Sequence, residues 1–379
     1  MEVYFDNAAT TKVDSRVVEK MIPFITEKFG NPSSAHCFGQ LVKDEINKSR
    51  FNVAKLLNCS EDEIYFTSGA TESNNHSIKS FAGSSGKSGK HVIVSQIEHP
   101  CILRTCEYLE ENGYEVTYIP VGEDGCVNPQ DVLNAIRSDT ILVSIMFVNN
   151  ETGMIQPIEE IAQITSQRGI KFHSDCVQGI GKLPFDLQKI KVDTLSLSAH
   201  KIHGPKGVGA LFIRKGTNLT PFIHGGSQEK GLRAGTENVP GIIGLGEACR
   251  IAYEEREDYH ASLKSIKELL LSELYKICDF RINGDLNKMA PNILNISLYG
   301  LKGDTLATAL SLKGIAVSTG SACSASSPKL SHVLKAMHYS EERIRGAIRI
   351  SFGRFSSKDE VHHFISELSP LLERFTVKV

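Results

Sequence analysis

The strongest constraint on the fold is an alternation of short β-rich runs with helical patterns between about residues 60 and 215. Amphipathic stretches lie between several of these runs, at Pro100–Glu111, Pro129–Ile136 and Ile158–Arg168. This alternation is typical of βαβ units, which build a mostly parallel sheet covered by helices. The sequence therefore predicts an α/β fold with a seven-stranded sheet. The predicted strands are Glu63–Thr67, His91–Ser95, Glu115–Ile119, Thr140–Val148, Lys171–Ser174, Thr194–Leu197 and Gly209–Ile213.

A region of different character follows the predicted sheet. A long helical pattern covers roughly Gly241–Cys278 and is rich in Glu, Lys and Leu. We therefore expect a large domain over residues 15–255 and a smaller α+β domain formed by residues 1–14 and 256–379. The elements predicted in the smaller domain are strands near Asn292–Ser297, Ile315–Ser318 and Ala347–Ser351 and helices near Asp304–Leu312 and Lys358–Phe375.

The composition limits the classes of partner. The chain has 379 residues and a formal net charge of −2 without blocks of like charge, which argues against binding to nucleic acid or to an anionic membrane. No apolar run is long enough to cross a bilayer and no charged leader precedes the first strand, so we expect a cytoplasmic protein. Nine cysteines at irregular spacing predict free thiols, with neither a disulfide framework nor a metal site.

A polar turn with a central lysine follows one of the apolar strands. Lys201 lies there beside Ser198 and His200, and Gly204 and Pro205 prevent a helix from continuing. A lysine amine in such a turn can form a Schiff base with pyridoxal 5′-phosphate (PLP), while hydroxyl and imidazole groups bind its phosphate. A surface lysine beside an ordinary Gly-Pro turn gives the same local pattern.

Two further positions suit the ring of that cofactor. Asp175 follows the strand Lys171–Ser174, where a carboxylate could keep the ring nitrogen protonated, and Gln178 lies on the same side of the turn, where it could donate to the ring hydroxyl. Asp175 could instead cap a helix. His99 follows the strand His91–Ser95 and could stack on the ring, or it could be a buried structural histidine.

A small-residue turn before a helix suits the phosphate of the cofactor. In the segment Thr67–Asn74, backbone N–H groups near Ala70 and the Thr71 hydroxyl would face an anion. A capping box that starts at Ser68 or Thr71 would account for the same residues.

Two candidates for the chemistry lie near the end of the chain. Cys323 is the single thiol of the small polar stretch Ser318–Pro328, which predicts a mobile surface loop carrying a thiol that can attack a substrate, although an unreactive loop cysteine fits as well. Arg349 alternates with apolar residues on a predicted strand and could bind the carboxylate of an amino acid. Arg354 is the rival for that role.

Taken together, the motifs closely resemble cysteine desulfurases of the NifS/IscS type, a branch of the class V aminotransferase-like PLP enzymes. The similarity extends through nearly the whole chain, and an ordered set of this size does not arise by chance. The segments that carry it are Tyr4–Thr11, Phe29–Ser34, Phe66–Glu72, Val148–Glu151, Ser198–Lys201, Arg233–Thr236 and Ser318–Cys323.

The resemblance implies a role for each matching residue. Lys201, Cys323 and His99 would be catalytic, with Lys201 forming the Schiff base and Cys323 accepting sulfur. Asn150 and Arg349 would bind the substrate carboxylate. The residues implied to contact PLP are Ala70, Thr71, His99, Asp175, Gln178, Ser198, His200, Lys201 and Thr236.

The resemblance also implies an activity and partners. The enzyme would convert L-cysteine to L-alanine, hold the sulfur as a persulfide, and deliver it to an acceptor such as an iron–sulfur scaffold or a tRNA-thiolation protein. Thr236 would reach the phosphate of a neighbouring subunit, which implies a homodimer. A selenocysteine lyase, a plain aminotransferase and a non-catalytic sulfur-relay partner are the alternatives. Cys176 stands where the family more often has alanine.

Overall fold

The computed structural model describes residues 1–84, 89–319 and 330–376, and the strands come in three sheets. In chain order the strands are β1 (Val3–Tyr4), β2 (Ile64–Thr67), β3 (His91–Ser95), β4 (Glu115–Ile119), β5 (Thr140–Ser144), β6 (Lys171–Asp175), β7 (Thr194–Ser198), β8 (Gly209–Ile213), β9 (Phe280–Ile282), β10 (Ile293–Leu298), β11 (Ile315–Ala316) and β12 (Ala347–Ser351).

Helices cover the sheets and connect the strands. In chain order they are α1 (Ser15–Met21), α2 (Pro23–Thr26), α3 (Cys37–Leu57), α4 (Ala70–Ser84), α5 (Pro100–Glu111), α6 (Pro129–Ala135), α7 (Ile158–Arg168), α8 (Val239–Glu254), α9 (Arg256–Ile277), α10 (Gly303–Ser311), α11 (His332–Ala336), α12 (Glu341–Arg345) and α13 (Lys358–Thr376). None of those in the described ranges combines the length and apolar character needed to cross a membrane.

The large sheet has seven strands in the order β2-β8-β7-β6-β5-β3-β4. All neighbouring pairs from β7 to β4 are parallel, whereas β8 runs antiparallel to both β2 and β7. Strands β3, β7 and β8 are buried along their whole length because helices cover both faces of the sheet. The prediction of a mostly parallel, seven-stranded α/β sheet is confirmed.

Two predicted elements differ from the structure. The run predicted as Thr140–Val148 ends as a regular strand at Ser144. Its continuation still donates to β6, from the N–H groups of Ile145 and Phe147, before a bridge forms between Val148 and Ile155. The long helical pattern divides at Glu255 into α8 and α9, where the Glu255 carboxylate pairs with Arg16 and Arg354. Helical periodicity alone does not reveal such a break because both helices keep one apolar face.

A second sheet lies at the carboxyl-terminal side of the chain. It is antiparallel, with the order β12-β10-β9, and β1 pairs in parallel with β11 nearby. The segment after β1 reaches the second sheet, because Asp6 forms a parallel bridge with Ser351. The amino-terminal residues therefore lie between the large sheet and the second sheet. The domain boundaries at residues 15 and 255 stay a prediction.

A cluster of three phenylalanines packs the amino-terminal segment against the second sheet. The Phe5 ring meets the Phe352 ring edge-on at 5.2 Å between centroids and the Phe364 ring at 5.8 Å. All three side chains are fully buried. This cluster joins the end of β1, the end of β12 and α13. It therefore fixes the path of the amino-terminal segment along the second sheet.

Replacing Phe364 by alanine tests the importance of that cluster. We expect Phe364→Ala to lower the free energy of unfolding by about 3–5 kcal/mol, because a buried aromatic side chain is lost and a cavity remains. Leu312→Ala is the control, since Leu312 is 84% exposed and its change is expected to stay within about 0.5 kcal/mol. Urea denaturation followed by circular dichroism measures both values. Equal midpoints for the two variants would contradict the prediction.

Candidate active site

The chemically interesting residues meet at one edge of the large sheet. Asp175 is the last residue of β6 and Ser198 the last of β7, and these strands are parallel neighbours. Lys201 ends the short 3₁₀ turn that follows β7, and His99 lies beyond the end of β3. The carboxyl ends of parallel strands form the usual ligand site of such sheets, and the structure brings these side chains to that edge.

Asp175 is a buried carboxylate with two partners. Its Oδ2 accepts a 2.7 Å hydrogen bond from Asn74 Nδ2, and its Oδ1 accepts one of 3.1 Å from the backbone N–H of Val177. The second bond is a local turn contact. No helix follows Asp175 before β7, so the alternative that it caps a helix was wrong. The first bond is different, because it ties the carboxylate to a helix on the face of the sheet and thereby fixes its direction.

Asn74 is a site residue that sequence reasoning missed. It is fully buried on α4, and its Oδ1 accepts hydrogen bonds from His173 Nε2 at 2.9 Å and from Ser196 Oγ at 2.5 Å. Burial lowers the pKa of His173 to about 3, so this imidazole is neutral and Nε2 carries its proton. Asn74 follows Thr71 by three residues, so the two side chains lie on the same side of α4. This spacing is the sequence signal that could have identified Asn74.

His99 occupies the position before α5, where its ring nitrogen caps the helix. Nδ1 accepts the backbone N–H of Cys101 at 3.2 Å and lies 3.0 Å from the Cys101 thiol. Burial lowers the pKa of His99, and the nearby positive charge of Lys201 acts in the same direction while Asp175 opposes it. A neutral His99 whose Nδ1 accepts from the backbone must carry its proton on Nε2.

Lys201 is held by backbone carbonyls from the other end of the chain. Its Nζ donates to Ala8 O at 2.6 Å and to Ala9 O at 2.5 Å. Gln178 shares the first of these acceptors, because its Nε2 donates to Ala8 O at 2.9 Å. Sequence reasoning from the residues alone gave no role to Ala8 or Ala9, since a backbone carbonyl leaves no trace in the side-chain pattern.

The turn before α4 leaves space that suits a phosphate. Gly69 has φ +151°, and a methyl group built on it would meet only Ser198 Oγ, at 3.9 Å. The hydroxyl of Ser198 therefore faces the start of α4, where Ala70 and Thr71 stand at the helix amino terminus. In place of the capping box, the Glu72 carboxylate accepts the backbone N–H of Ser68 at 2.9 Å.

His200 lies in the short turn after β7, between Ser198 and Lys201. Its Nδ1 lies 3.1 Å from Thr10 Oγ1, and burial lowers its pKa to about 4, with Lys201 acting in the same direction. The imidazole is therefore neutral at pH 7 and can serve as a hydrogen-bond partner without adding charge. An amine, a buried carboxylate, a neutral imidazole and a phosphate cradle lie at one sheet edge, which is the donor set that PLP requires.

Arg349 lies on β12, in the second sheet. Its Nη2 pairs with Asp6 at 2.7 Å and its Nη1 donates to the backbone carbonyl of Asn150 at 2.9 Å. Nε of Arg349 is buried and has no hydrogen-bond partner within the described residues. The guanidinium is thus held in place with its Nε donor left for a ligand, and its contact to the Asn150 carbonyl brings that residue beside it.

Arg354, the rival of Arg349, belongs to a different set of contacts. Its guanidinium pairs with Glu255 and lies 3.8 Å from Asp14 and 5.0 Å from the centre of the Tyr259 ring. These partners lie at the junction between α8 and α9, so the structure accounts for Arg354 through ion pairing and ring packing. The Arg354 side chain is largely buried by these contacts.

The remaining predicted residues fall outside the group at the sheet edge. Thr236 is exposed and makes no side-chain hydrogen bond within the described residues. Cys176 is fully buried in the core of the large sheet, and its thiol faces Ser174 Oγ at 3.5 Å, so it serves as packing. Cys323 lies outside the described residues. The same residues contain no group of three or more His, Cys, Asp or Glu side chains arranged to hold a metal ion.

The chain resembles known proteins over almost its full length. The family model described as aminotransferase class V matches residues 3–364. A protein named cysteine desulfurase IscS from Methanosarcina thermophila is 47% identical, with 98% of this chain and 92% of the relative covered. One from Dictyoglomus turgidum is 46% identical, with 98% and 95% covered.

Solved structures agree in fold. A structure titled NIFS-like protein superposes with a TM-score of 0.94 at 43% identity and covers 99% of this chain and 100% of its own. The family model and the full-length relatives show the family, and this superposition shows the fold. The chain therefore belongs to the class V aminotransferase family, whose members are pyridoxal phosphate enzymes.

Proposed function

We propose that this protein is a cysteine desulfurase, which converts L-cysteine to L-alanine and passes the sulfur to one of its own thiols. The full-length match to proteins of that name carries the proposal. A related structure, 38% identical with a TM-score of 0.84, is titled as a complex with cysteine and covers 94% of this chain and 100% of its own. The geometry supports the same substrate class, because Arg349 on β12 is held by Asp6 and the Asn150 carbonyl and keeps a buried Nε donor for a carboxylate.

The residues at the sheet edge are suited to hold PLP in one orientation. Lys201 would hold the aldehyde carbon, Asp175 the ring nitrogen, Gln178 the ring oxygen and His99 the face of the ring. Ala70, Thr71, Ser198 and His200 would surround the phosphate, the first two through the amino terminus of α4. When bound, PLP supplies an electron sink for bonds broken at the substrate Cα and Cβ.

Arg349 and Asn150 would bind the substrate carboxylate. The buried Nε of Arg349, like that of Arg354, has no hydrogen-bond partner in the described residues. In Arg349, Asp6 and the carbonyl of Asn150 hold the other two guanidinium nitrogens. A carboxylate on Nε would be fixed in direction as well as distance, because the guanidinium cannot rotate without breaking both other contacts. That places the amino acid between the second sheet and Lys201.

Lys201 and Cys323 would move the proton and the sulfur. The Lys201 amine takes the proton from Cα, and its later return to carbon yields alanine. The Cys323 thiolate attacks the substrate sulfur, so the Cβ–S bond breaks and an S–S bond forms on the enzyme. Cysteine and the enzyme thiol are converted to alanine and a persulfide, and no external oxidant is required.

The chain on both sides of Cys323 supports that role. Ser318 exchanges backbone hydrogen bonds with Arg349 at 3.1 and 2.6 Å. On the other side, His332 Nε2 lies 3.0 Å from the carbonyl of Glu98, next to His99. The segment that carries Cys323 therefore begins beside the proposed substrate arginine and returns beside the proposed ring-stacking histidine.

Product analysis tests the proposed function. Purified protein with PLP and L-cysteine is expected to form alanine and, with a reductant, an equal amount of sulfide. Lys201→Ala is expected to lose at least about 1,000-fold in turnover because the base is removed, and Cys323→Ser is expected to lose sulfide release while still binding PLP. Amino-acid analysis, a sulfide assay and mass spectrometry of the persulfide measure these outcomes.

Full activity of Cys323→Ser on another amino donor would instead favour a plain aminotransferase. Lack of turnover in a wild-type protein that lacks the yellow absorbance of bound PLP would favour a sulfur-relay partner. Faster turnover of selenocysteine than of cysteine would favour a selenocysteine lyase.

The two arginines can be separated by matched substitutions. We expect Arg349→Lys to raise KM for cysteine about 10- to 100-fold, because lysine cannot keep two fixed contacts and present a third donor to the carboxylate. Arg354→Lys is the control and is expected to change KM less than about twofold. Steady-state kinetics with varied cysteine measures both. A large KM effect for Arg354→Lys alone would reverse the assignment.

We also propose that the working enzyme is a homodimer that acts in the cytoplasm on a separate sulfur acceptor, an iron–sulfur scaffold or a tRNA-thiolation protein. Helices α1, α2 and α3 all pack on α8 and leave large apolar side chains exposed. Phe29 and Phe38 stack there at 6.2 Å and are 72% and 57% exposed. An apolar surface of this kind fits a second copy of the chain.

The cysteines of the described residues are free, which fits the reducing compartment of the proposed cytoplasmic location.

The dimer is tested by mass and by loss of the apolar surface. Light scattering after gel filtration is expected to give twice the chain mass of 41.6 kDa. Phe29→Asp is expected to weaken association at least about 10-fold, because a charge would be buried at the contact. If Thr236 serves the neighbouring subunit, the dissociated variant also retains less PLP. A monomeric wild-type protein that is fully active would refute the dimer.

A further inference from the structure

Lys182 is a buried cation behind the active site that the proposed chemistry leaves without a role. It is 4% exposed and lies in the turn after β6, four residues beyond Gln178. Its Nζ donates to Gln178 Oε1 at 3.1 Å. Within the described residues this is the one hydrogen bond that its ammonium group makes, and no carboxylate pairs with it.

The contacts of Gln178 fix the direction of its amide. Nε2 faces the carbonyl of Ala8, which can only accept, and Oε1 faces the amine of Lys182. A reversed amide would lose both hydrogen bonds. Because Lys201 donates to the same Ala8 carbonyl, the three side chains form one connected group that begins at Lys182 and ends at the proposed reactive amine.

A lysine in this position is costly for the folded state. Burial lowers the pKa of Lys182 to about 7, and the neighbouring charge of Lys201 acts in the same direction. The other titratable groups that face it are His200 and His203, on which its charge acts unfavourably, while His260 reaches only its backbone carbonyl. Destabilised charges of this kind are concentrated at functional sites.

We propose that Lys182 is a positioning residue, which holds the Gln178 amide toward the ring oxygen of PLP and places positive charge behind that oxygen. The inference rests on the proposed cofactor contacts of Gln178. It assigns to Lys182 a benefit that offsets its burial, since an anionic ring oxygen is stabilised by an oriented amide with a cation behind it.

The chain contains a matched control for this inference. Lys267 on α9 is 6% exposed, donates to a single acceptor, Ala290 O, at 3.1 Å, and burial likewise lowers its pKa to about 7. It lies in the packing between α9 and the second sheet, away from the carboxyl ends of β6 and β7. The two lysines therefore have similar exposed fractions and one hydrogen bond each. They differ in the acceptor, because Gln178 also contacts Ala8 at the proposed site, whereas Ala290 lies away from it.

The test compares Lys182→Met with Lys267→Met in the full-length protein. For Lys182→Met we expect the dissociation constant of PLP to rise about tenfold, since a hydrogen bond to a charged group is lost, and the pH midpoint of the absorbance of bound PLP to move upward. Loss of a nearby cation favours the protonated form of a titrating group. For Lys267→Met both quantities are expected to match those of the wild type.

Thermal unfolding after removal of PLP by dialysis gives a second readout. Because the pKa of Lys182 falls from 10.5 to about 7 on folding, its destabilising effect is full below pH 7 and disappears as the pH approaches 10.5. Both methionine variants are therefore expected to melt at a higher temperature than the wild type at pH 6. If Lys182 serves only the structure, PLP affinity and the absorbance of bound PLP would be unchanged in Lys182→Met, as in Lys267→Met.

The outcomes separate this inference from the proposed function. A wild-type protein that binds no PLP would refute both. Unchanged PLP affinity and absorbance in Lys182→Met, with an active wild type, would refute only the role of Lys182. If Lys182→Met does not fold, Lys182→Gln replaces it, since glutamine keeps an N–H donor for Gln178 without charge and is expected to give an intermediate PLP affinity.

Discussion

The active site depends on the hydrogen bonds of one buried amide, that of Asn74. Its nitrogen donates to Asp175 and to the Cys101 thiol, and its oxygen accepts from His173 and Ser196. With every donor and acceptor engaged, the amide cannot turn, and the carboxylate it holds keeps one direction. Because Asn74 is on α4, whose first turn faces the proposed phosphate position, the same helix would orient both ends of PLP in the proposed site.

Much of this arrangement could be predicted from the sequence. The alternation of strands and helices gave the parallel sheet, and the edge rule for such sheets placed Asp175, His99 and Lys201 together. Periodicity could not predict that β8 is antiparallel or that α8 and α9 separate, because both depend on tertiary contacts. The contributions of Ala8, Asn74 and Lys182 were also hidden, since they arise from backbone carbonyls and from side chains that act through other side chains.

The charges of the site follow a common design. His173 and His200 are kept neutral by burial, so they give direction to hydrogen bonds without competing for anions. Lys182 and Lys201, in contrast, place two amines close together behind the proposed ring and substrate positions. Burial and repulsion from Lys201 both lower the pKa of Lys182, so the positive charge of this amine is destabilised in the folded chain.

The position of the amino-terminal segment has a consequence for biosynthesis. Asn7 donates to the backbone carbonyl of Ser351, a contact that spans 344 residues, and the carbonyl of Ala8 serves Lys201. Asn7 and Ala8 leave the ribosome long before Ser351 is synthesised. The amino-terminal segment therefore lacks its partner on β12 until the end of synthesis, so the carbonyl that it offers to Lys201 is fixed in place only then.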